Sequence, residues 1–305
     1  MRQDVKFNSQ GLTIVGHLYV PGHLAGNERV PAVVVSHPGG GVKEQTAGLY
    51  ARQLNEQGFV TLAFDCAYHG ESEGTPRGLE DPAHRVEDIK SAVTFLAGHE
   101  RVDTSRIGLL GICASGGYAV TAAATDIRIK AVATVSGVDL GSFIRKGYNG
   151  KQDPSVLKMQ LEHAAVARTA SAGSAEAQTF PLFPPDEATA RQLGPYVYEG
   201  WDYYATPRGH HPRSAKEMPW MSIDKLAGFY GFASIDQISP RPLLMIAGAE
   251  AETKWMAMEA LQAAKEPKEL FLIEGASHVD LYDREDYVGQ ATQKLTGYYR
   301  QWLTK

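Results

Sequence analysis

Apolar residues along the chain fall into two alternating patterns. Short, largely β-branched runs at Thr13–Val20, Ala32–Ser36, Phe59–Phe64, Ile107–Leu110, Ala131–Val135, Leu243–Ala247 and Leu270–Ile273 predict strands. The run Ala32–Ser36 is nearly all valine, which suits a strand covered on both faces. Between these runs apolar positions recur at helical spacing. Gly48–Gln57 carries Leu49 and Leu54 and meets a stop at Gly58. Pro82 opens a helix with Val86, Ile89, Val93 and Leu96 on one face. Further helices are predicted at Tyr118–Ala124, Lys254–Ala264 and Val288–Leu303. Strands alternating with helices predict an α/β fold with a mostly parallel central sheet and helices on both faces.

The alternation fails between about Leu140 and Ile235. The part of it from Pro181 to Pro219 alone holds seven prolines, and aromatics such as Tyr196, Tyr204, Trp220 and Phe229 are many. A structureless loop of such length is improbable in a compact domain. The expected organisation is a core of residues 1–138 and 236–305, interrupted by a mostly helical cap over 139–235. No internal repeat or low-complexity tract is visible.

The segment Arg106-Ile-Gly-Leu-Leu-Gly-Ile-Cys113-Ala-Ser115-Gly-Gly117 runs from a strand through small residues into a helix. This is the setting of a nucleophile elbow, whose tight turn demands small residues two before and two after the nucleophile. Gly111 and Ser115 fill those places around Cys113. Ser115 is a rival, because its own neighbours at the same offsets, Cys113 and Gly117, are also small. The strand ends near Leu110 or Gly111, which puts Cys113 at the turn and Ser115 already in the helix, so Cys113 is preferred. A helix N-terminus there would favour a thiolate; the alternative is an inert cysteine filling the turn.

A nucleophile needs a base, and the base an orienting group. His278, in Gly275-Ala-Ser-His-Val-Asp280 after the last predicted strand, follows the chain order nucleophile, acid, histidine. His84, His99, His163 and the pair His210-His211 lie on helices or in the cap, without metal-ligand spacing. The acid is expected after Leu243–Ala247, where Glu252 is preferred over Glu250. Either glutamate could instead be an ordinary charge near a helix N-terminus. His37-Pro-Gly39-Gly40-Gly41 follows a strand, and its glycines allow close backbone approach. It is the expected source of one oxyanion donor, Gly39 or Gly40, beside the N–H of Ala114. No G-K-[ST] follows, which argues against a phosphate loop.

Composition narrows the classes further. The 305 residues are 43% hydrophobic with a formal net charge of -5, ordinary for a globular protein and without the basic footprint of a nucleic-acid or anionic-membrane binder. Two cysteines, Cys66 and Cys113, make a disulfide framework implausible, and Cys66 reads as packing. With no apolar leader or membrane-length run, a cytoplasmic location is expected.

Asp65-Cys-Ala-Tyr-His-Gly70-Glu-Ser72 looks like the D-x-x-G-x-G-x-S segment of α/β hydrolases. With His37–Gly41, Gly111–Gly117 and Gly275–Asp283 in order, the chain resembles the dienelactone-hydrolase-like branch of that superfamily. Within it the chain is most similar to YcjY-type hydrolases and to fungal polyketide transferases and thiohydrolases. The resemblance implies the α/β-hydrolase fold, Cys113 as nucleophile, His278 as base and an acid at Glu252, although such enzymes more often carry aspartate there. It implies no cofactor or metal, and a small acyl substrate, free or carried on a protein; a homodimer is compatible with it. Transfer from a thioester to Cys113 is nearly isoergic, so thioesters, enol lactones and activated esters are expected ahead of amides. A serine-type carboxylesterase using Ser115 and a non-catalytic acyl-binding protein are the competing readings.

Overall fold

The computed structural model describes residues 2–172 and 176–304; residues 173–175, inside the expected cap, lie outside the described residues. Two antiparallel strands open the chain, β1 (Arg2–Ser9) and β2 (Leu12–Tyr19). The alternating units follow: β3 (Val30–Ser36), α1 (Thr46–Glu56), β4 (Val60–Phe64), α2 (Pro82–Ala97), β5 (Val102–Ile112), α3 (Ser115–Thr125) and β6 (Ile129–Val135). After the intervening segment come β9 (Leu243–Gly248), α9 (Lys254–Ala263), β10 (Lys268–Ile273), α10 (Asp280–Asp283) and α11 (Glu285–Leu303). The eight strands form one sheet in the order β1-β2-β4-β3-β5-β6-β9-β10, parallel from β4 to β10.

Burial explains the apolar runs. Val33, Val34 and Val35 are fully buried and face alternately into two cores, one beneath α2 and α3, the other beneath α1 and α11. The helices begin where local chemistry allows: Asp81 accepts from the Ala83 amide and Pro82 takes the first turn of α2. The α11 helix lies close on the sheet, with Tyr299 donating to the Leu109 carbonyl at 2.8 Å. A Cβ at Gly108 would stand only 2.8 Å from the Tyr299 ring. A side chain there would force α11 off the sheet.

Three elements differ from the expected pattern. Strand β1 has no strong apolar signature, because it is an edge strand whose apolar residues packed on the core, Val5 and Phe7, are only partly buried. Strands β5 and β10 begin several residues early, at Val102 and Lys268, since backbone pairing extends through polar positions that periodicity does not mark.

Between β6 and β9 the chain forms α4 (Leu140–Lys146), α5 (Pro154–Ala170), α6 (Glu187–Gln192), α7 (Pro195–Ala205) and α8 (Met221–Ala227). A two-stranded ribbon, β7 (Thr179–Pro181) with β8 (Glu217–Pro219), and a short 3-10 turn at Ile235–Ile238 complete it. This segment is tied to the strand ends by hydrogen bonds from Gln45 to the Gly209 carbonyl (2.6 Å) and between Thr46 and Tyr203 (3.0 Å). Arg208 also pairs with Asp283 at 2.6 Å. No helix among the described residues is long and apolar enough to cross a membrane.

Candidate active site

The turn between β5 and α3 is held in an unusual backbone state. Cys113 has φ 52°, left-handed for a residue with a side chain. Its N–H donates to Val135 (3.0 Å), and its carbonyl accepts from Gly116 (2.7 Å) and Val138 (2.9 Å), so the strain is pinned from both sides. The small residues are sterically required. A Cβ at Gly111 would lie 2.2 Å from the Ser115 carbonyl oxygen, and one at Gly116 would lie 2.6 Å from the Gly137 Cα.

The two elbow candidates separate here. Cys113 is partly accessible and lines a cavity of about 370 Å³ together with Gly39, Ala114 and His278. Ser115 is fully buried behind the turn, where its hydroxyl lies 2.8 Å from Ser36 Oγ and donates to the His37 carbonyl at 2.6 Å. Ser115 holds the loop after β3. It does not face the cavity.

That loop brings Gly39 against the elbow, where an added Cβ would touch the Ala114 methyl at 3.4 Å. Gly40, with φ 67°, turns the chain toward Leu182 and Ala215 instead. Burial pushes the Cys113 thiol above its usual value; the Tyr282 hydroxyl and the N–H groups of Ala114 and Gly39 oppose that shift. Both N–H groups therefore face the sulfur.

Behind the loop lies a buried charged cluster that periodicity does not reveal. Arg85, only 2% exposed, donates to the His37 carbonyl (2.9 Å) and to Cys66 Sγ (2.7 Å), and pairs with buried Glu80 at 2.8 Å. Cys66 is thus a structural thiol, pushed by burial up to about 12. The pair anchors His37 from beneath, since a buried guanidinium must find acceptors for its planar donors.

His278 comes from the β10–α10 turn and is buried, its carbonyl held by the Ser136 hydroxyl at 2.8 Å. Nε2 lies 3.2 Å from the Tyr282 hydroxyl, the same group that draws the Cys113 thiol downward. Nδ1 lies 2.6 Å from Thr253 Oγ1. Burial depresses the imidazole to about 3.

The acid expected at Glu252 is not brought to the imidazole. Glu252 is exposed, and its carboxylate accepts from the Tyr196 N–H at 3.3 Å, in the otherwise uncapped first turn of α7. Glu250 is exposed too. The residue turned inward is the next one, Thr253, because the short loop after β9 enters α9 with Thr253 on its buried side. Tyr282 and Thr253 were both missed from sequence. Tyr282 sits within the Gly275–Asp283 segment, one helical turn after His278, and that spacing was its only signal.

The remaining wall is mostly apolar and comes mainly from α4, α7, α8 and the chain around β7. Tyr196 packs edge-on against the His278 ring with centroids 5.3 Å apart, and Tyr148 stacks on Tyr196. The parallel sheet, the strained elbow and the histidine turn at the strand ends define an α/β hydrolase. The sequence profile of the Alpha/beta hydrolase family matches residues 33–291, and the chain belongs to that family. Among its relatives is the uncharacterized protein YcjY of Escherichia coli strain K12, 37% identical over 99% of this chain and 100% of its own length. The crystal structure of hypothetical protein PA2218 from Pseudomonas aeruginosa superposes with a TM-score of 0.91 at 37% identity, covering 99% of this chain and 94% of that one. The thiohydrolase aneE of Aspergillus aculeatus is 28% identical over 77% of this chain and 72% of its own length. With the acyltransferase drtE of Aspergillus calidoustus, 26% identical over 93% of this chain and 90% of its own length, hydrolase and acyltransferase relatives support an enzyme of this class.

Proposed function

We propose that the chain is a cysteine-dependent acyl hydrolase or acyltransferase acting on thioesters, lactones or activated esters through an acyl-enzyme. The observation that carries this reading is Cys113 at a strained turn, opening on an apolar cavity beside His278 and two backbone N–H groups. The thiohydrolase relative supports a thioester as the substrate. We read residues 139–235 as a cap that holds the acyl group, delivered free or on a carrier.

In the resting site both partners are neutral, because burial disfavours thiolate and imidazolium alike. The proton therefore leaves sulfur as the carbonyl is attacked, not beforehand. The Tyr282 hydroxyl, 3.2 Å from His278 Nε2, relays it, taking the proton from sulfur as it gives its own to the ring. Sulfur bonds the acyl carbon, and the oxyanion takes the Ala114 and Gly39 N–H groups. The carbonyl then re-forms, the bond to the leaving thiol or alcohol breaks, and the imidazolium returns its proton to that group. Water, or an acceptor alcohol or amine, attacks the thioester on Cys113, giving its proton to His278, and the sulfur departs to regain one.

Incubation with short acyl thioesters and p-nitrophenyl esters, followed by peptide mass spectrometry, tests this directly. The expected adduct lies on Cys113, and Cys113→Ala abolishes both adduct and turnover. An adduct on Ser115, or turnover unchanged in Cys113→Ala, overturns the reading.

A further inference from the structure

We propose that Gln160 is a specificity residue recognising a hydroxyl carried along the acyl chain, so that the preferred substrates are oxygenated acyl groups rather than plain fatty acyl groups. The inference rests on the acyl site proposed above and names its substrate class.

Gln160, Ala164 and Ala167 lie at i, i+4 and i+7 on α5, which places them on one helix face. Ala164 and Ala167 are buried, so this is the inward face of the helix. The polar residue on it lines the same cavity as Cys113, amid Leu140, Ile144, Ile223 and Leu226. Its Oε1 is shielded from water yet has no hydrogen-bond partner among the described residues.

A buried amide oxygen without a partner is destabilising, and a leucine would fill this position without that penalty. The wall around it offers no compensation, being mostly hydrocarbon. A ligand hydroxyl reaching into the cavity donates to Oε1 and removes the deficit, whereas a methylene at the same point leaves it in place. Sites built to bond a substrate hydroxyl discriminate far better than apolar pockets do, because the wrong ligand strands a polar group. Gln160 comes from the cap and Cys113 from the end of β5, so the acyl chain is gripped separately from the carbonyl that reacts.

The test uses octanoyl N-acetylcysteamine thioester and its positional monohydroxy isomers, titrated calorimetrically into the Cys113→Ala protein. Binding there reads the cavity whether or not Cys113 is the nucleophile. At least one hydroxylated isomer is expected to bind about tenfold tighter than the plain chain. In Cys113→Ala with Gln160→Leu that preference falls to unity or reverses, with folding verified by thermal melting. The proposal is overturned if no isomer outbinds the plain chain in the protein retaining Gln160, a result that needs no second variant. It is equally overturned if no thioester of the series binds, or if the preference survives Gln160→Leu. Failure of the nucleophile reading shows elsewhere, as the absence of an adduct on Cys113 in the unaltered chain.

Discussion

A hydroxyl orients the imidazole of this site. Thr253 Oγ1 accepts from His278 Nδ1–H in the tautomer that leaves Nε2 free to act as base. A hydroxyl fixes that tautomer but carries no charge to steady an imidazolium, which fits the strongly depressed His278. Replacing Thr253 with valine keeps the shape and strands the buried Nδ1–H. Loss of such a partner costs about 1–3 kcal/mol, so kcat/KM is expected to fall roughly tenfold to a hundredfold. Steady-state kinetics on an activated ester measures it, and a rate within twofold of the unaltered chain would refute the role. The sequence did not disclose Thr253, because the path of the five-residue loop from the end of β9 to the start of α9 decides which of three neighbouring side chains turns inward. Glutamates at 250 and 252 carried the chemically expected group, but solvent was the better place for an unpaired carboxylate.

Among the elements, the β5–α3 elbow is the most constrained. Its strand, turn and helix were all legible, since a β-branched run, a cluster of small residues and an apolar helix face leave few alternatives. The requirement at Gly116 was not, because its neighbour Gly137 comes from the turn after β6 and meets it only in the folded sheet. Gly116→Ala drives a methyl into the Gly137 backbone, and overpacking against backbone costs about 1–3 kcal/mol. A melting temperature several degrees lower is expected by calorimetry, together with loss of Cys113 reactivity toward iodoacetamide as the elbow shifts. An unchanged melting temperature would mean that α3 moves aside freely. Strand β1 shows the opposite case. It pairs through its backbone with β2, a partnership that side-chain periodicity hardly registers.

At the scale of the whole molecule four histidines among the described residues are buried: His17, His37, His69 and His278. Burial lowers each below the ordinary 6.5. The unfolded chain therefore binds more protons than the folded one between about 6.5 and these lowered values. Stability is fully present above that window and declines as pH falls into it, at up to about 1.4 kcal/mol per pH unit for each histidine. Urea midpoints should drop between pH 7 and pH 5, ahead of most carboxylate titration. A flat profile over that interval would show that these rings are charged or solvated in the folded state.

From sequence alone came the alternation of strands and helices, the break in it, and the order of the glycine loop, elbow and histidine turn. Those are properties of neighbours along the chain: periodic burial, turn sterics and backbone reach. Tertiary structure decided which side chains meet. It turned Cys113 toward the cavity and Ser115 into the interior, brought Thr253 to the imidazole where a glutamate was expected, and set Tyr282 against its other nitrogen. It also buried Arg85 with Glu80 beneath the glycine loop. Contacts between residues far apart in the chain depend on register and on how each helix is rotated against the sheet. A shift of one residue changes the partner entirely, and no local pattern encodes it.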